Sequence, residues 1–93
     1  MRRFRIEDLG GDRGYHQALL NRQFIVRHQD EFITSFDPVQ GETVKSVVSD
    51  LVAHFQLPDG EGYDHTEMVV WQHDRIVAVV RRGEDGEAAA TIF

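Results

Sequence analysis

The sequence predicts an α+β fold: one domain over residues 1–93, with a mostly antiparallel sheet of five to six strands and one amphipathic helix over about 42–56 packed on one face. Two observations carry this. Val44, Val47, Val48, Leu51, Val52 and Phe55 recur at helical spacing as a single apolar stripe. Short runs of β-branched and aromatic residues surround it, and most of them alternate with polar positions as half-buried strands do.

Taken in order, Arg2 to Glu7 alternates, with Phe4 and Ile6 on one face and Arg3, Arg5 and Glu7 on the other, so it reads as a strand. Three glycines between Gly10 and Gly14 enforce a loop, and Asp12 within it would repel a phosphate. Tyr15 to Asn21 suits one helical turn or the start of a strand, and so short a run leaves both open. Gln23–His28 and Glu31–Phe36 read as a hairpin about Gln29-Asp30, with Phe32, Thr34 and Phe36 sharing a face.

Asp37-Pro38 offers an N-cap and a first-turn proline, and Gln40 stands where a capping box places its partner. Gly41 argues for a start nearer Glu42, and Pro58 ends the helix. Four of the six stripe residues are valine, a mediocre helix former, so packing must supply much of this helix's stability. Glu67–His73, Arg75–Arg82 and Glu87–Phe93 form a meander turning at 72–75 and 83–86. The predicted core is Phe4, Ile6, Phe24, Val26, Val44, Val48, Leu51, Phe55, Val77 and Val79.

A chain of 93 residues makes one domain. The absence of cysteine removes disulfides and thiolate metal sites and fits a reducing compartment. No apolar run approaches the ~20 residues of a membrane span, and no apolar stretch follows the basic N-terminus as in a signal peptide, so a cytoplasmic protein is expected.

Charge is the feature that bears on function. Between Asp30 and Glu67 the only cation is Lys45, against Asp30, Glu31, Asp37, Glu42, Asp50, Asp59, Glu61, Asp64 and Glu67. The formal net charge is −6. Such a surface disfavours direct nucleic-acid binding, which depends on cations at phosphates, and it attracts a basic protein partner. The expected partner-binding residues are Asp30, Glu31, Asp59, Glu61, Asp64 and Glu67, with Tyr63 as an aromatic anchor. Carboxylates standing where phosphates would sit suit an inhibitor of a nucleic-acid-handling protein: an immunity protein, an antitoxin-like factor or a phage-encoded inhibitor of bacterial defence.

The rival reading is a small histidine-dependent nuclease or hydrolase. It requires two or three of His28, His54, His65, His73, Glu67 and Tyr63 to converge in one pocket. The histidine spacings match no metal motif and the acidic loop fails the EF-hand pattern at its sixth and twelfth positions, so no metal and no cofactor are expected. A third reading is a homodimer paired through an edge strand at Glu87–Phe93, where Ala88-Ala89-Ala90 permits close approach. Arg81-Arg82 are expected to pair with acids and blunt a sheet edge, and Trp71 to lie in the core.

Overall fold

The computed structural model describes the backbone of residues 5–8 and the whole of residues 22–93. Phe4, the glycine loop at 10–14 and the segment Tyr15–Asn21 lie outside the described residues, as does the side chain of Ile6.

The elements run β1 (Arg5–Asp8), β2 (Phe24–His28), β3 (Glu31–Phe36), α1 (Val44–Phe55), β4 (Glu67–Gln72), β5 (Arg75–Arg82) and β6 (Ala88–Ile92). The strands form one sheet in the order β1-β6-β5-β4-β2-β3. Every neighbouring pair is antiparallel except β1 with β6, which is parallel. Helix α1 packs on one face, over β5 and β6. Among the described residues the fold is the predicted α+β sheet with one helix packed on it.

The helix starts later than the Asp37-Pro38 signal suggests. Gly41 takes φ +93, a left-handed conformation that interrupts any helix begun at Pro38. Thr43 caps α1 instead: its Oγ1 accepts the Ser46 N–H at 3.1 Å, and Ser46 Oγ accepts the Thr43 N–H at 3.0 Å. This is a capping box six residues downstream of the expected one. All six stripe residues, Val44 to Phe55, are buried. They meet Phe24, Val26, Met68, Val70, Ala78, Val80, Ala88, Ala90 and Ile92 from the sheet. Three alanines among these positions let the helix approach closely over β5 and β6.

Two bulges decide which side chains face the helix. In β5 the register slips opposite Val70 and Trp71, so Val77 is an extra residue and both Val77 and Ala78 are buried. The phase then reverses. Val80 joins the core, while the predicted core residue Val79 is only half-buried, because its side chain belongs to the opposite face.

In β3 the slip opposite Val26 and Arg27 makes Ile33 the extra residue. Ile33 and Phe36 pack against the core, and Phe36 stacks on Phe24 with ring centroids 5.3 Å apart. Phe32 is turned outward, 58% exposed. The single face expected for Phe32, Thr34 and Phe36 is therefore broken at Ile33.

Strand β6 lies between β5 and β1, so Glu87–Phe93 does not offer a free edge for a second copy. Its ladder is occupied on both sides by the described strands. The turns behave as turns must: His73 and Asp74 both adopt positive φ between β4 and β5, and Gln29 does so between β2 and β3.

Phe24 is fully buried at the meeting of β2, β3 and the core cluster. Phe24→Ala should cost about 3–5 kcal/mol in urea unfolding, and Thr43→Ala about 1 kcal/mol from the lost cap. A Phe24→Ala loss as small as that of Thr43→Ala would mean that β2 and β3 contribute little to the cooperative core.

Candidate functional site

The topology gathers the acidic segments at one end of the sheet. Strand β2 ends there at His28, β3 and β4 begin there at Glu31 and Glu67, and β5 ends there at Arg82. The β2–β3 turn with Asp30, the loop from Gln56 to Thr66, and the β5–β6 turn are therefore neighbours. Direct contacts fix this. His65 Nε2 lies 4.0 Å from Glu31 Oε2, and the Arg82 N–H donates to the Thr66 carbonyl at 2.9 Å.

Asp30, Glu31, Asp59, Glu61 and Asp64 are all exposed at this end. Glu67 is half-buried and accepts from Arg81 Nε at 2.8 Å. The β5–β6 turn adds Glu84, Asp85 and Glu87, all exposed; from the sequence the first two read only as turn residues and Glu87 as the first residue of a strand. The expected meander already carries their signal, since its second turn must project at the end where its first strand starts, and the register, with Arg82 opposite Ala88, agrees.

The loop that carries Asp59, Glu61 and Asp64 is a succession of tight turns. The Leu57 N–H donates to the His54 carbonyl, Gly60 N–H to Leu57, Tyr63 N–H to Gly60 and His65 N–H to Gly62, all at 2.9–3.1 Å. Gly60 is required because a Cβ there would stand 2.2 Å from the His54 carbonyl oxygen.

Arg82 fastens the loop to the helix. Its guanidinium carbon lies 4.2 Å from the Phe55 ring centroid and 4.1 Å from that of Tyr63, and its Nη2 donates to the Phe55 carbonyl. That carbonyl is one of those left over where the helix ends. The expectation that Arg82 would pair with an acid on a sheet edge is thus corrected. β5 is interior, and Arg82 takes two π faces and a backbone oxygen instead. Arg81 does pair with an acid, Glu67. Tyr63, expected as an anchor for a partner, has one ring face on Arg82 and is half-buried.

The histidines are partly brought together. His28 and His65 stack with centroids 4.4 Å apart, and His28 Nδ1 is 2.8 Å from the Glu67 carbonyl oxygen. A carbonyl only accepts, so Nδ1 of His28 carries the proton. His54 Nε2 accepts the Glu61 N–H at 2.8 Å, so its proton sits on Nδ1. His73 stands in the β4–β5 turn at the other end of the sheet, away from His28 and Glu67. Among the described residues no group of three His, Asp or Glu side chains is placed to hold a metal ion. No described helix is long and apolar enough to cross a membrane.

Trp71 lies half-buried on the sheet face opposite α1 rather than in the core. There it lines an open cleft with Ile25, Arg27 and Arg22. No family model, curated protein or solved structure matches this chain, so its function has to be argued from this geometry alone.

Two outcomes check the site. Arg82→Met should lower stability by about 1–3 kcal/mol, because the Phe55 carbonyl loses its donor and both rings lose the cation. Hydrogen exchange should quicken at the Gly60, Tyr63 and His65 amides more than in the sheet; uniform exchange would mean that Arg82 does not hold the loop. In ¹⁵N imidazole spectra recorded where the rings are neutral, His28 and His54 should both appear as Nδ1–H tautomers. An Nε2–H signal from His54 would remove its bond to Glu61.

Proposed function

We propose that this protein is a non-enzymatic binding module that docks its acidic end onto a basic partner protein. The observation that supports it best is convergence. Three segments far apart in sequence, 30–31, 59–67 and 84–87, present exposed carboxylates at one end of the sheet. Of the exposed cations in these strands, Arg81 is engaged with Glu67, Arg27 stands one residue before the end of β2, and Arg75 begins β5 at the opposite end of the sheet.

Like charges held together cost free energy, and net charge of one sign works against compaction. A fold that keeps them together on short turns, fastened by Arg82 and His54, presents a preorganised negative surface. Preorganisation lowers the ordering cost of binding, and a field of one sign raises the rate of encounter with a cationic partner. Carboxylates spread over such an end are suited to a groove that otherwise takes nucleic-acid phosphates. On this reading the protein inhibits a nucleic-acid-handling protein, in the manner of an immunity, antitoxin-like or anti-defence factor.

The test compares wild type with a variant carrying Asp59→Asn, Glu61→Gln and Asp64→Asn, which keeps side-chain size and removes three charges. Captured from a bacterial lysate, the partner of the wild-type protein should be lost with the variant. It should be released between 50 mM and 500 mM salt, as exposed charges are screened over ~8–10 Å at physiological ionic strength, and it should be displaced by duplex DNA. Identical partners with both proteins would show that the acidic end is not the docking surface. Indifference to DNA would remove the nucleic-acid-handling partner while leaving a basic one.

A further inference from the structure

A groove of about 340 Å³ runs between the end of β3, the segment that follows it and helix α1. Its floor is Val47 and Leu51, and one wall is Val39, a large apolar side chain that is 67% exposed. Its rim is acidic: Asp37 and Asp50 are exposed along it, and none of the described lining residues is Lys or Arg. Lys45, the cation of the helix, lies more than a quarter-turn away from the groove side by helical geometry, because residues 47, 50, 51 and 54 share a stripe that excludes position 45.

We propose that this groove is a slot for one apolar side chain of a partner segment, a leucine or phenylalanine flanked by arginine or lysine. The proposal rests on the reading of a basic partner and adds where its apolar contact falls. Charge complementarity selects the occupant. An apolar floor alone would accept any hydrophobic segment, but Asp37 and Asp50 repel acidic flanks and pair with basic ones. The volume is that of a small ligand pocket, sufficient for a single side chain and the backbone bearing it.

Position ties the slot to the acidic end. His54 lines the groove and its Nε2 accepts the Glu61 N–H, so the loop with Asp59, Glu61 and Asp64 begins where the groove stops. One basic segment thus meets carboxylates along the helix and again at the loop. Its apolar residue, buried against Val47 and Leu51, supplies the specificity that exposed charge pairs lack.

The experiment uses three blocked pentapeptides as probes, titrated into ¹⁵N-labelled full chain: leucine between two pairs of arginines, glycine between two pairs of arginines, and leucine between two pairs of glutamates. The arginine–leucine peptide should shift the amides of Val39, Val47, Asp50 and Leu51 together with those of the 59–67 loop. The glycine peptide should shift the loop and leave the groove still, and the glutamate peptide should shift neither. Asp37→Asn with Asp50→Asn, both exposed and safe for the fold, should weaken the groove response several-fold and leave the loop response intact. If the leucine and glycine peptides give the same pattern, the slot does not exist and the acidic end stands alone. If neither arginine peptide shifts the loop, the basic-partner reading fails as well.

Discussion

The placement of Arg82 is the constraint on which the acidic end depends. It closes a strand, a helix and a loop with one side chain, through two aromatic faces and a carbonyl. Lysine could not substitute, because only a planar guanidinium lies flat on a ring while donating sideways in its plane. The contacts are worth only about 0.5–2 kcal/mol each, yet they decide geometry more than stability. Without them the residues between Gln56 and Thr66 would keep their own turns and the Glu61–His54 bond but lose their tie to β5. With them they are a surface of fixed shape.

Where apolar alternation is regular it gives the element correctly, and for α1 the buried face too; in β4 it separates the two faces without telling which is the core, so Trp71 is expected on the wrong side. Helix α1 and strand β4 follow their patterns residue by residue: Met68, Val70 and Gln72 point inward, while Val69 and Trp71 lie on the other side. The errors cluster at the bulges. A period of two carries no sign that one residue has been inserted, and each insertion reverses every later assignment in its strand. Val79 and Phe32 were misplaced for that reason. So was the edge, because parallel pairing of β1 with β6 is a long-range event that no local run announces.

The carboxylates were legible as a group because charge needs no three-dimensional information to be counted. Their company was not. That His28 would stack on His65, or Arg82 on Tyr63, depends on which strand ends share one end of the sheet, and only the strand order supplies that. The sequence therefore points to carboxylates that the fold gathers at one end but not to Glu84, Asp85 and Glu87, and it suggests an acid partner for Arg82 where the structure gives two rings and a carbonyl.

The parallel ladder between β1 and β6 also has a temporal meaning. Arg5 pairs with Ala89, so the first described strand meets its partner across nearly the whole chain. The three hairpins, β2 with β3, β4 with β5 and β5 with β6, close short loops and can form within microseconds. Joining β2 to β4 closes an intermediate one. The β1–β6 contact comes at the longest separation of all, and each doubling of loop length adds about 0.6 kcal/mol of closure entropy. During synthesis it also has to wait, since β6 leaves the ribosome after every other strand. Until then the edge of β5 that β6 will cover is unpaired, and β1 has no edge to join. The interval in which both stay open is the one in which this chain is most exposed to pairing with a neighbour.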